Sequence, residues 1–181
     1  MPIGNIESVI PTMTEFIAHW NQVNSDLPAP IVLPGGYAVA TLTTDRTAFQ
    51  DFMIAVEVAD NARQVNASSR DFQKAAMKER LRQFRASVQG QLAGSTYAKG
   101  LPKIPSTNAS EQAFLRAFED ASNMWSRINA TPPAGFTGPL LLPGAYPVAT
   151  FKTDITALRT IYNTVGTTDE QASFARKERE T

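Results

Sequence analysis

Leu33-Pro34-Gly35-Gly36-Tyr37-Ala38-Val39-Ala40-Thr41 returns as Leu142-Pro143-Gly144-Ala145-Tyr146-Pro147-Val148-Ala149-Thr150, and the match extends through Thr44-Asp45 against Thr153-Asp154. A segment repeated within one chain marks one structural module used twice. In both copies proline stands second and glycine third, as a type II turn requires, because proline presets φ and glycine supplies the positive φ that follows. The fourth position changes from Gly36 to Ala145 and is read as free of that demand. Leu33, Pro34, Gly35 and Tyr37, with Leu142, Pro143, Gly144 and Tyr146, are therefore expected to be structural. Each tyrosine is expected to pack beneath its turn, its hydroxyl reaching backbone or water.

Upstream, Trp20-Asn21-Gln22-Val23-Asn24 reappears as Trp125-Ser126-Arg127-Ile128-Asn129. The tryptophans are offset by 105 residues and the turns by 109, so the second loop is four residues longer, most simply around Gly135 to Gly138. Surface loops absorb such insertions at little cost. Ile31-Val32-Leu33 and Leu140-Leu141-Leu142 are short apolar runs that could pair as a bridge between the copies.

The intervening sequence reads as helix. Thr12-Met13-Thr14-Glu15 has the capping-box form, which predicts a helix start near Thr12. Phe16, Trp20 and Val23 follow at helical spacing and the pattern fades by Ser25-Asp26. A long helix is predicted from Val39 to about Asn66, with Phe49, Phe52, Met53, Val56, Ala59 and Arg63 at three- and four-residue steps. Ala67-Ser68-Ser69 reads as a break, with Ser68 capping a third helix. That helix carries Phe72, Ala76, Met77, Leu81, Phe84, Val88 and Leu92 on one face and stops at Gly94. The two helices would form an antiparallel hairpin. Asn108 with Glu111 opens the fourth helix, which bears Phe114, Leu115, Phe118, Trp125 and Ile128. The last helix starts near Val148, runs through Phe151, Ile155, Leu158, Tyr162 and Val165, and is expected to kink at Gly166-Thr167-Thr168.

The expected fold is an all-α antiparallel bundle of about five helices. Residues 1–93 make the first repeat unit, 94–107 a linker with glycine at 94 and 100 and proline at 102 and 105, and 108–181 a second, C-terminally shorter unit. Extending the 109-residue offset sets Asp169 against Asp60 and Glu180 against Asp71. The second unit is thus expected to lack the third helix of the first, and to be covered by the first unit's hairpin or by another chain.

Composition narrows the functional classes. The 181 residues include 17 basic and 17 acidic side chains and no cysteine. Balanced charge disfavours a general polyanion binder. Lack of cysteine removes disulfides, thiol catalysis and thiolate metal sites. Residues 1–7 lack a basic stretch followed by an apolar run, and no apolar run approaches the roughly 20 residues of a membrane span. A cytoplasmic protein without membrane association is expected.

No catalytic set or cofactor site emerges. His19 is the sole histidine, and no second ligand stands at metal-binding spacing beside it. The glycines of the turns lack the lysine and hydroxyl of a phosphate-binding loop. Trp20 and Trp125, at equivalent positions of two copies, read as core anchors, the other possibility being a ligand-stacking pair. Arg70, Lys74, Lys78, Arg80, Arg82 and Arg85 face only Asp71 and Glu79 between residues 70 and 85. This basic surface could bind nucleic acid, or pair with Asp45, Asp51, Glu57 and Asp60 of the preceding helix.

The pattern resembles that of uncharacterised bacterial helical proteins in which two Leu-Pro-Gly-Gly-Tyr-type elements each follow a Trp-x-x-apolar-Asn stretch and precede a long helix. The resemblance covers most of the chain. It implies an architecture, and relatives that continue past residue 181, but no activity and no functional residue. The reading that follows is a non-enzymatic structural or assembly protein, forming homo-oligomers or binding another protein, with a nucleic-acid-associated protein using residues 69–93 as the alternative.

Overall fold

The computed structural model describes residues 8–180, with side chains through Lys177. Among the described residues five α-helices form: α1 (Val9–Ser25), α2 (Val39–Gln91), α3 (Thr96–Lys99), α4 (Glu111–Ala130) and α5 (Val148–Glu180). No strand longer than an isolated bridge occurs among the described residues. The chain is all-α.

Both Leu-Pro-Gly elements make the turn that proline and glycine dictate. Gly35 has φ 82° and ψ 7°, and Gly36 N–H donates to the Leu33 carbonyl at 3.1 Å, the geometry of a type II turn. Leu33 pairs with Tyr37, and Leu142 with Tyr146, so each bridge closes its own turn rather than joining the copies. Gly144 has φ 81°. The fourth position is not free, however. Gly36 has φ 83° and Ala145 has φ 57°, so the second copy holds an alanine in the left-handed region, at a cost of roughly 1–2 kcal/mol.

Helix boundaries correct the sequence reading in four places. Thr12 is not a cap: α1 begins three residues earlier, with Ser8 at its N-cap. At α4 the cap is Ser110, whose hydroxyl accepts from Ala113 N–H, whereas the Asn108 N–H donates to Ser106 Oγ. The hairpin does not form, because α2 passes through Ala67-Ser68-Ser69 as one helix of 53 residues. Those residues include neither glycine nor proline, and serine in a helix interior costs only about 0.5 kcal/mol against alanine. Gly166 likewise leaves α5 unbroken. Around it the hydroxyls of Thr160, Thr164, Thr167 and Thr168 each donate to the carbonyl four residues back, which spends them on the helix instead of on a competing turn.

The chain divides into two compact units, residues 1–61 with 174–181, and residues 62–173. The division falls within α2 and not in the segment 94–107. That segment contains α3, and it is tied down: Arg85 donates to the carbonyls of Leu101 and Pro102. In the second unit, Met77, Leu81, Phe84 and Val88 of α2 are fully buried against Phe114, Phe118, Trp125 and Ile128 of α4 and Phe151 and Leu158 of α5. Their spacing of four, three and four residues is one helical face. Phe72 and Ala76, assigned to that face from sequence, are exposed, Phe72 by 74%. In the first unit only Trp20 and Val56 are buried among the large apolar side chains described.

Candidate functional site

The two copies share an asparagine clamp, to which the second adds a tryptophan bond. In the second, the Asn129 side-chain oxygen accepts from Leu140 N–H at 2.7 Å, and the Trp125 indole N–H donates to the Leu140 carbonyl at 2.8 Å. Leu140 is thereby held at both backbone groups between α4 and the turn. In the first, Asn24 accepts from Ile31 N–H at 2.8 Å. The clamp spans seven residues in the first copy and eleven in the second, so the four-residue insertion loops out between two conserved anchor points of the module. Gly135 and Gly138, both with positive φ, lie within it.

Each turn tyrosine donates its hydroxyl to a carboxylate on the following helix, not to backbone or water: Tyr37 to Asp45 at 2.5 Å and Tyr146 to Asp154. Burial, followed by the bond to Asp154, pushes the Tyr146 phenol well above its ordinary value of 10.0. At Tyr37 the bond to Asp45 is the larger cause of a shift in the same direction. These hydroxyls fasten each turn to the helix it introduces.

What differs is the covering. In the second copy the α2 segment lies over the clamp. Phe84 stacks on Trp125 with ring centroids 5.4 Å apart and planes 29° apart. The Arg80 guanidinium sits 4.2 Å above the Tyr146 ring. Leu140 and Leu142 are 0% and 2% exposed. Their counterparts Ile31 and Leu33 are 38% and 44% exposed. Phe16 stands where the second copy has the buried Ala121; it meets Trp20 edge-on at 5.7 Å and remains 53% exposed. Phe16, His19, Trp20, Val23, Ile31 and Leu33 line an open apolar groove of about 220 Å³. Beneath it the Trp20 indole N–H is buried with no hydrogen-bond partner among the described residues, although Trp20 itself is 6% exposed.

The basic residues of α2 are bound to their own chain. Lys74 donates to the Thr107 carbonyl at 2.9 Å and Lys78 to the Thr107 hydroxyl at 3.0 Å. Arg70 pairs with Asp71, and Arg82 with Glu79. Lys74 also lies 5.0 Å over the Phe114 ring. With no hairpin, the expected pairing of these residues with the earlier acidic stretch does not arise; Asp60 instead meets Arg176 at 2.6 Å. No group of three or more His, Asp or Glu side chains suited to a metal ion occurs among the described residues, and none of the described helices is long and apolar enough to cross a membrane.

Three elements of the site were not singled out from sequence: the asparagine clamp, the aspartate that holds each tyrosine, and Arg80 over the ring. The first two left a signal. Asn24 and Asn129, like Asp45 and Asp154, are polar residues retained in both copies at fixed distances from Trp and Tyr.

No family model matches the chain, and no curated protein or solved structure does so either.

Proposed function

We propose that the chain is a non-enzymatic structural or assembly protein that associates with other polypeptides, including copies of itself, through helical surfaces, with the apolar groove of the first copy as the principal contact. The observation that carries this reading is the exposure of Ile31, Leu33 and Phe16 at positions that are closed in the second copy. Clustered apolar side chains rimmed by polar surface mark interaction sites. Val65 and Phe72 on α2, 67% and 74% exposed, add further apolar surface. The nucleic-acid reading is weaker, because Lys74, Lys78 and Arg85 already donate to the chain's own oxygens. A cysteine-free, assembly-forming protein fits a cytoplasmic setting.

Size-exclusion chromatography with light scattering tests the reading. The full chain is expected to gain mass with concentration, and Leu33→Glu to remove most of that gain. A particle of 19.7 kDa at every concentration, unchanged by the substitution, would contradict self-association.

A further inference from the structure

The second copy shows what the module accepts: a helix with apolar residues at four-, three- and four-residue steps and an arginine placed over the turn tyrosine. We propose that the first copy's groove receives a basic amphipathic helix from another polypeptide, seated as residues 77–88 of α2 are seated on the second copy. This rests on the reading of the groove as a protein-binding surface and specifies its partner.

Four observations converge on that occupant. The receptor parts are the same in both copies: tryptophan, asparagine clamp, apolar pair flanking the turn, and a tyrosine fastened to an aspartate. In the second copy those parts are covered by one helix of this chain, Phe84 on the indole and Arg80 on the phenol ring. In the first copy the apolar pair is open, and the Trp20 N–H, whose counterpart is satisfied, has no partner among the described residues. A docked helix that presses Ile31 inward would bring its carbonyl to the indole, as Leu140 is brought to Trp125. Charge selects the kind of helix. Between residues 8 and 61 there are six carboxylates, Glu15, Asp26, Asp45, Asp51, Glu57 and Asp60, against one arginine, Arg46; of the six, Asp60 is paired with Arg176 and Asp45 accepts from Tyr37. The covering segment of α2 carries the opposite excess, with Arg70, Lys74, Lys78, Arg80, Arg82 and Arg85 against Asp71 and Glu79. An acidic excess on the stretch that carries the groove favours a basic helix as its partner.

Phe16 adjusts the fit. It places a ring where the second copy has only a methyl group, so the partner helix should carry a side chain smaller than phenylalanine at the position of Phe84.

The test uses a fluorescently labelled synthetic peptide of residues 70–92 as a surrogate partner, titrated into the full-length chain and read by anisotropy. Saturable binding is expected, weakened about tenfold or more by Leu33→Glu in the protein, since the substitution puts a charge where the docked helix would bury a leucine. Raising the salt should weaken it several-fold. The peptide with Phe84→Leu should bind more tightly than the parent, and the peptide with Leu81→Glu and Phe84→Glu should not bind. Leu33 is exposed, so the variant should fold; an unchanged circular-dichroism spectrum and melting temperature check this. Binding that persists unchanged in Leu33→Glu, or that a scrambled peptide of equal charge reproduces, would overturn the proposal. Absence of peptide binding alongside Leu33-dependent self-association would overturn the helical partner in favour of a second copy's folded surface, and would leave the assembly reading standing. Loss of both would overturn both.

Discussion

The first and second copies of the module share a turn, a clamp and a fastened tyrosine, yet one has a core and the other has a groove. Leu142 is 2% exposed and Leu33 is 44% exposed, although the backbones around them close the same way. The difference lies outside the repeated residues, in the α2 segment 77–92 that packs on the second copy. The module's shape is therefore local, set by proline, glycine and hydrogen bonds, while its burial has to be supplied by another helix. Side chains have drifted accordingly. Positions that bury Phe151, Ile155 and Leu158 in the second copy carry Leu42, Arg46 and Phe49 in the first, all half-buried, and Arg46 donates to Thr14 at 2.8 Å.

Truncating the tryptophans separates the copies most sharply. Trp125→Ala removes an indole stacked on Phe84, packed against Phe151 and bonded to Leu140, and should destabilise the fold by about 3–5 kcal/mol. Trp20→Ala, in a copy with little covering, should cost clearly less. Urea unfolding of both variants checks the pair, and equal losses would break the comparison.

The asparagine clamps should separate by a smaller margin. Asn129→Ala leaves the backbone N–H of buried Leu140 without its acceptor, an expected loss of about 1–3 kcal/mol. Asn24→Ala frees the N–H of exposed Ile31 to meet water, so its loss should be smaller. The same unfolding assay reads both.

At the turns the order reverses, because the second copy is the strained one. Ala145→Gly should raise stability by about 1 kcal/mol, and Gly36→Ala should lower it by about as much. Thermal melts suffice to see opposite signs.

The smallest effect concerns pH. The folded Tyr146 phenol is raised above its ordinary value of 10.0 by burial and by the bond to Asp154. Its protonated form therefore favours the fold, a contribution fully present below pH 10 and lost as pH rises above it. Tyr146→Phe should flatten the fall in melting temperature above pH 10, whereas Tyr37→Phe, at the exposed turn, should change that fall much less.

How far these features could be read from residues follows the same division between local and supplied structure. The turns, the starts of α2 and α5 at Val39 and Val148, and the four-residue insertion depend on nearby residues and were legible. The continuity of α2 was not. Ala67-Ser68-Ser69 is polar enough to suggest a loop, but its propensity cost is a fraction of what ending a helix needs, and no proline or glycine enforces a stop. With a break placed at 67–69, the segment 72–92 reads as one arm of a hairpin whose basic residues call for the acidic arm as a partner. In the structure it is the lid of the second copy. The open groove could not be seen from residues alone, since Ile31 and Leu33 are as apolar as Leu140 and Leu142; exposure depends on what is packed above them.

Hydroxyl-radical footprinting read by mass spectrometry tests the contrast between the copies most directly. In dilute full-length protein, Phe16, Ile31 and Leu33 should oxidise many times faster than Leu140, Leu142 and Phe84, and the 70–92 peptide should slow oxidation at Phe16, Ile31 and Leu33. Equal protection of Leu33 and Leu142 in the dilute, monomeric protein would contradict the account.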